Sequence, residues 1–187
     1  MTADFTQIGM RIKGLREACD TPREELAAEL GVPVETYAAW EDTGADVPIS
    51  ALFHMANKFG VDLSEILTGT DARLDTYQVV RAGQGRTVER YPGYDYRDLA
   101  WLFSHKVMQP LLVTLDPTEE PAELVTHTGQ EFNLVVEGIV VITFDGKDLM
   151  LGAGDSIYFN PAHPHGQRCG GDTPARFVTI IAEQRGL

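Results

Sequence analysis

The spacing of the apolar residues changes near position 70, and this change limits how the chain can fold. Before that point, apolar residues such as Ile8, Ile12 and Leu15 recur at helical spacing. After it, short apolar stretches alternate with polar residues and are separated by glycine and proline, which is typical of β-strands. The expected parts are therefore an all-α domain, a linker and an all-β domain, at 1–69, 70–77 and 78–187.

The first domain carries start and stop signals for five short helices. Thr21 followed by Pro22 predicts the start of the second helix, with Thr21 as its N-cap, and Gly31 predicts its end. Asp62 predicts the cap of the fifth helix and Gly69 its end. Because only a tight turn separates the second helix from the third, we predict a helix-turn-helix.

The clearest strand signal in the second domain is the sequence VVITFDGKDLML. Its residues Val140, Ile142 and Phe144 alternate with residues of the other face, and Asp145-Gly146 predicts a two-residue hairpin turn. Many short strands joined by tight turns are typical of a β-sandwich or jelly roll.

Three segments of the helical part, REELAAELGV, TYAAWEDTG and ANKFGVDLSEIL, resemble the lambda-repressor-like regulators of the XRE family. The resemblance implies a five-helix domain whose third helix enters the major groove of DNA. The candidate DNA contacts are the exposed start of the third helix and one phosphate-binding residue of the second helix, namely Val34, Glu35, Thr36, Ala39 and Arg23.

The charge of this domain weakens the expectation of DNA binding. Residues 1–69 hold twelve acidic and five basic side chains, a net charge of −7, within a chain of net charge −13. Few cations can release counterions from DNA, so affinity for random DNA should be poor. The alternative is that the bundle has lost DNA binding and serves for dimerisation or as a lid.

Two segments of the β part, HTGQEFNLVVEG and NPAHPHG, resemble the two motifs of the cupin superfamily. Glu131 is followed by Gly138 at the motif spacing, and His165 stands at the histidine of the second motif. Val125 replaces the first histidine of the usual pair, so that His127 is the second. The resemblance implies a cupin jelly-roll barrel.

The remaining motif residues His127, Glu131 and His165 form a candidate metal set. Two histidines and one carboxylate are the minimal set for non-haem Fe(II), and they also suit Zn, Mn or Ni. The even spacing of His127 and Glu131 would place both side chains on one face of a regular strand. The alternative is that these polar side chains hydrogen-bond an organic ligand.

Other residues are assigned to the pocket or to packing. The candidate ligand-pocket residues are Tyr94, Tyr96, Tyr158 and His163, with His163 at the rim because it precedes the motif histidine by two residues. The residues expected at the surface or in packing are His54, His105, Cys19 and Cys169.

Together the two halves resemble bacterial regulators in which a cupin domain senses a small molecule and the helices bind an operator as a dimer. We therefore predict a cytoplasmic, homodimeric transcriptional regulator whose cupin domain senses a small molecule or a metal, and we assign no catalytic residues. No signal peptide or apolar stretch of about 20 residues is present, which argues against a membrane location. Apolar residues such as Tyr37, Trp40, Leu102 and Phe103 are candidates for the dimer contact, and Tyr37 and Trp40 are expected either in the core or at this interface.

A metal-dependent enzyme is the alternative function. The layout also resembles hydroxypropylphosphonate epoxidase, an Fe(II) enzyme that uses two histidines and a glutamate. Tyr94 and Tyr96 lie where that enzyme keeps tyrosines near its site. However, Asp20 stands where the enzyme has a lysine that holds its anionic substrate, and this reversal of charge argues against a phosphonate substrate.

Overall fold

The computed structural model describes residues 5–69, 74–90 and 94–182, and the chain forms two compact units. The first unit is Met1–Arg81 with Leu102–His105, and the second is Ala82–Trp101 with Lys106–Leu187. The short segment Leu102–His105 thus packs with the helical unit although it lies far along the chain. Within the described ranges, no helix has both the length and the apolarity that a membrane span requires.

The described residues of the first unit form five helices, which confirms the helix signals. They are α1 (Phe5–Ala18), α2 (Arg23–Leu30), α3 (Val34–Thr43), α4 (Ile49–Phe59) and α5 (Leu63–Thr68). Gly31 and Gly69 end α2 and α5 in the left-handed conformation, as predicted. Asp62 caps α5 through the backbone N–H of Ser64, and Glu65 accepts from the backbone N–H of Asp62.

The predicted cap of α2 is wrong. No side-chain hydrogen bond caps this helix, which follows Pro22. The hydroxyl of Thr21 donates to the carbonyl oxygen of Cys19 instead, at 3.4 Å. The carbonyl oxygen of Thr21 in turn accepts a hydrogen bond from Arg16, at 2.9 Å.

The core of the first unit contains the two aromatic residues of α3. Tyr37 is fully buried and Trp40 is 6% exposed, and their rings meet edge to face with centroids 6.2 Å apart. These two side chains therefore belong to the core, one of the two places expected for them, and are not available as a dimer contact. Leu102 is half-buried and packs against the same core.

A buried carboxylate beside this core is held by two arginines. Glu41 accepts from Arg16 Nε at 2.5 Å and from Arg23 Nε at 2.7 Å, and its side chain is fully buried. Burial alone would raise the pKa of Glu41, but the hydrogen bonds from Arg16 and Arg23 outweigh burial and hold the pKa below its usual range. The cluster therefore joins α1, α2 and α3 by charge.

In the second unit, the residues that the structure describes form two antiparallel sheets. Its strands are β1 (Arg86–Val88), β2 (Tyr94–Asp98), β3 (Met108–Leu115), β4 (Gln130–Glu137), β5 (Ile139–Phe144), β6 (Lys147–Gly152), β7 (Ser156–Phe159), β8 (His165–Cys169) and β9 (Ala175–Ala182). One sheet has the order β1-β2-β3-β9-β4-β7 and the other the order β6-β5-β8. Asp145 and Gly146 join β5 to β6 at φ 47° and 74°, which confirms the predicted hairpin.

The core of the second unit contains residues from both sheets. Val113, Val135 and Phe177 come from the larger sheet, whereas Val140 and Ile142 come from the smaller one. All five side chains are at most 2% exposed. Alternation along β4 also buries Glu131 and Asn133. The strand that supplies core residues thus also supplies polar groups to the interior.

Candidate metal centre and ligand cavity

The three motif side chains lie together in the second unit. Glu131 is the second residue of β4, His165 is the first residue of β8, and His127 lies in the loop before β4. The Nε2 atoms of His127 and His165 are 2.9 Å and 3.6 Å from Glu131 Oε2. The ligating atoms of all three lie within 4.8 Å of one another. The structure therefore brings together the residues that the motif spacing selected.

The position of His127 has a different cause from the one expected. Strand β4 begins only at Gln130, so the even spacing of His127 and Glu131 does not act along a strand. The backbone N–H of His127 instead donates to the carbonyl oxygen of Pro161, at 2.9 Å. Val125, which replaces the first motif histidine, forms paired backbone hydrogen bonds with His165. The loop is therefore fixed by its backbone.

Both imidazoles are oriented by backbone carbonyl groups. Nδ1 of His165 lies 2.9 Å from the carbonyl oxygen of His163, and Nδ1 of His127 lies 3.1 Å from that of Thr128. A carbonyl can only accept, so Nδ1 carries the proton in each ring and Nε2 faces Glu131. An unprotonated Nε2 would repel the carboxylate oxygen. The arrangement therefore requires a proton or a cation between these atoms.

The charges of Glu131 and His165, which are both buried, fit this requirement. Burial alone would lower the pKa of His165, but its contacts with Glu131 and the His163 carbonyl outweigh burial and raise the pKa. Burial alone would raise the pKa of Glu131, but hydrogen bonds from His165 and Asn133 outweigh it and lower the pKa. Glu131 is therefore held as a carboxylate.

Two amides that sequence reasoning missed fix the second oxygen of Glu131. Asn133 Nδ2 donates to Oε1 at 3.0 Å, and Gln167 Nε2 donates to it at 3.4 Å. Oε2 is thereby left facing the two histidines. Asn133 lies two residues after Glu131, and Gln167 two after His165, so each shares a strand face with a motif residue. That even spacing was a signal that could have identified both amides.

A cavity of about 170 Å³ opens beside the three side chains. Tyr94 and Tyr96 line it as predicted, with stacked rings whose centroids lie 5.6 Å apart. Tyr94 donates from its hydroxyl to the carbonyl oxygen of Gln167, at 2.7 Å. The hydroxyl of Thr179, a buried wall residue, has no hydrogen-bond partner among the described residues. Other wall residues include Arg90, Val113, Glu123, Val125, Phe177 and Ile181.

Tyr158 and His163 lie outside this cavity, so their assignment as pocket residues is corrected. Tyr158 is 63% exposed, because alternation along β7 turns it away from the buried Phe159. His163 lies between β7 and β8, where its ring faces Phe144 and its Nδ1 lies 2.7 Å from Asp145. This contact with Asp145 holds the imidazole at the surface.

The predicted DNA contacts lie in the first unit. Glu35, Thr36 and Ala39 are exposed on the first turns of α3, and Val34 is half-buried. Arg23 is partly exposed, but its Nε is bound to the buried Glu41. The start of α3 is therefore accessible to a partner.

Each half of the chain matches a known protein family. Residues 12–66 match the helix-turn-helix family, and residues 111–181 match the cupin domain family. The HTH-type transcriptional regulator PuuR of Escherichia coli (strain K12) is 26% identical over 166 residues, which cover 84% of each chain. The PuuR of Shigella flexneri matches equally well.

Solved structures share the fold along nearly the whole chain. Hydroxypropylphosphonic acid epoxidase from S. wedmorenis has a TM-score of 0.51 at 22% identity, covering 97% of this chain and all of that one. Fe(II)-HppE with an alternative substrate has a TM-score of 0.52 at 23% identity, covering 96% and 98%. At this identity the likeness concerns the fold alone. The two family matches and the PuuR relative, by contrast, show that the chain joins a helix-turn-helix domain to a C-terminal cupin domain and is a homologue of the regulator PuuR.

Proposed function

We propose that this protein is a DNA-binding transcriptional regulator whose cupin domain binds a small-molecule effector beside a divalent metal. The observation that carries the proposal is the homology to PuuR, which spans 84% of both chains and includes both domains. A protein that acts on operator DNA works in the cytoplasm, and we place it there. The proposed domains are 1–69 and 78–187, the second a closed jelly-roll barrel, joined by the linker 70–77, of which Leu74 packs into the core of the first unit.

The start of α3 is the proposed base-reading surface. It presents Glu35, Thr36 and Ala39 to solvent, beside the half-buried Val34. Glutamate can accept from a cytosine amino group, and threonine can contact a thymine methyl group or a phosphate. Arg23 is the proposed phosphate contact through the part of its guanidinium that Glu41 leaves free. Because the domain is acidic, specific contacts must supply most of the affinity.

A homodimer follows from this mode of recognition. Helix-turn-helix domains bind two half-sites about one helical turn apart, which matches a two-fold dimer. With Tyr37 and Trp40 buried, the contact must come from exposed apolar residues. In the first unit, α4 presents two such residues, Ile49 and Phe53, which are 62% and 58% exposed.

His127, Glu131 and His165 are the proposed metal ligands, for Fe, Zn, Mn or Ni. Both Nε2 atoms and one carboxylate oxygen face a common point, and a cation there removes the repulsion between them. When bound, the metal would supply a Lewis acid with open positions for a donor atom of the effector. Tyr96 and Thr179 would shape the effector's side of the cavity.

The second candidate function is a metal-dependent oxidoreductase. Two histidines and a carboxylate beside a cavity are also the ligand set of non-haem Fe(II) oxygenases. Against a phosphonate substrate, Asp20 is acidic and already forms an ion pair with Arg81. Native mass spectrometry of protein purified without chelator separates the two functions, because a bound organic molecule favours the sensor and a redox-active metal alone favours the enzyme.

Substitution of Thr36 by glutamate should abolish specific DNA binding. A carboxylate at this exposed position would face the phosphates or base edges, so affinity for a selected DNA fragment should fall at least about 100-fold. Fluorescence anisotropy with that fragment measures the effect. Gln7→Glu adds the same charge at an exposed position of α1, away from the proposed dimer contact on α4, and is the matched control. Equal loss in both variants, or in neither, would contradict the assignment of α3 as the reading helix.

A further inference from the structure

The segment Leu102–His105 belongs to the helical unit, although the chain on both sides of it belongs to the β unit. It is the tip of the loop that joins β2 to β3. Both of these strands supply walls of the ligand cavity, through Tyr94 and Tyr96 on β2 and Val113 on β3. The backbone that leaves the cavity walls therefore enters the unit that carries the DNA-reading helix.

Three hydrogen bonds donated by backbone N–H groups hold this tip in the helical unit. The N–H of Leu74 donates to the carbonyl oxygen of Leu102, and the N–H of Ser104 donates to that of Leu74, each at 2.8 Å. The N–H of Leu102 donates to the side-chain oxygen of Gln78, at 3.0 Å. Leu74 is 2% exposed and is part of the core of the helical unit. The tip is thus fixed to the core of that unit through residues 74–78.

A single buried carboxylate closes the base of the same loop in the β unit. Asp98, which is 6% exposed, accepts from the backbone N–H of Ala100 at 2.7 Å. Its other oxygen accepts from Lys106 at 3.4 Å and from Gln109 at 3.3 Å. The carboxylate therefore contacts both ends of the loop.

The amide of Gln109 connects this carboxylate to the cavity. Its Nε2 donates to Asp98, and its Oε1 accepts from the guanidinium of Arg90, a residue of the cavity wall. Only this orientation of the amide satisfies a donor on one side and an acceptor on the other. A continuous set of hydrogen bonds thus runs from the cavity wall to the base of the loop.

We propose that the β2–β3 loop is the coupling element of the regulator, which transmits the state of the ligand cavity from Arg90 through Gln109 and Asp98 to Leu102–His105 and residues 74–78. This inference rests on the proposed function. A cation beside Glu131 repels the guanidinium of Arg90, and an anionic effector attracts it. Either change alters the bond from Arg90 to Gln109 and so the closure of the loop base.

Hydrogen exchange of the full-length protein tests the proposal, because the amides of Leu74, Leu102 and Ser104 report on the tip directly. Asp98→Asn keeps the shape of the side chain but weakens its hold on Lys106. We expect these three amides to exchange at least about fivefold faster in this variant, the lower end of ordinary coupling effects. Lys106→Met should act in the same direction and covers the case in which Asp98→Asn does not fold.

Asp95→Asn is the matched control, since Asp95 lies on the same strand, is exposed and pairs only with Arg97 among the contacts described for it. It should leave the three amides unchanged. Added Zn²⁺ should change their exchange in the wild-type protein and in Asp95→Asn, and change it less than half as much in Asp98→Asn.

The outcomes separate this inference from the proposed function. Wild-type exchange rates at the three amides in both Asp98→Asn and Lys106→Met overturn the coupling element, whatever Zn²⁺ does. Binding of Zn²⁺ to the wild-type protein without any change at these amides also overturns it. If Zn²⁺ does not bind but the substitutions still loosen the tip, the metal centre is wrong and the link through the loop stands.

Discussion

Substitution of His127 by alanine should lower the affinity for divalent metal at least about 100-fold. Loss of a residue that merely orients a ligand costs about 10- to 100-fold, and loss of a ligand should cost no less. The remaining pair, Glu131 and His165, would leave a site with only two protein donors. Metal content after purification without chelator, together with titration by Zn²⁺, measures the change.

His163→Ala is the matched control for this prediction. It removes an imidazole two residues from His165, but the side chain is exposed and outside the cavity. Its metal content should equal that of the wild-type protein. Glu131→Gln should behave like His127→Ala, because the amide is nearly isosteric but carries no charge. Unchanged stoichiometry in both site variants would contradict the assignment of these residues as ligands.

Substitution of Glu41 by glutamine should destabilise the helical unit by roughly 3–5 kcal/mol, the usual cost of removing one partner of a buried ion pair. Arg16 is itself buried, and its guanidinium would lose the carboxylate that balances its charge. Arg23 would lose its buried partner as well. Urea unfolding followed by the fluorescence of Trp40, in a Trp101→Phe background, measures the free energy of unfolding. A loss below about 1 kcal/mol would show that the arginines find other partners.

Asp42→Asn is the control, because Asp42 lies next in sequence, is exposed and is 3.8 Å from Arg23. It should change the free energy of unfolding by less than about 0.5 kcal/mol. The pH dependence adds a second check. Because the pKa of Glu41 is lowered in the folded state, its contribution is full above the ordinary pKa of glutamate, about 4.3, and is lost as the pH falls through the lowered value. Glu41→Gln should remove that acid-dependent part.

Local sequence patterns correctly predicted the structural features that depend only on adjacent residues. The five helices, the glycine that ends α2 and the Asp145-Gly146 turn each follow from a few adjacent residues. Thr21 shows where such a signal fails, since Arg16 and Cys19 give its backbone and hydroxyl other partners. A tertiary contact can replace a cap that the local sequence allows.

The site was predicted less completely because its geometry depends on strand faces and on distant contacts. The motif spacing selected three residues that do meet, but His127 reaches Glu131 from a loop. Tyr158 was misplaced because the outward face of β7 cannot be deduced before the register with β4 is known. The hydrogen bonds that connect Arg90 to Asp98 through Gln109 join residues that are distant in sequence, and no sequence pattern predicted them.

Selection from a pool of genomic fragments of the source organism tests whether the protein binds specific DNA sequences. Full-length protein, with and without added metal, is incubated with the fragments at low salt, and the bound DNA is sequenced. We expect enrichment of a few fragments that share two half-sites related by two-fold symmetry, about ten base pairs apart. Thr36→Glu should enrich none of them. If the wild-type protein enriches no sequence under either condition, the regulator assignment is contradicted and the metal-dependent enzyme becomes the better account.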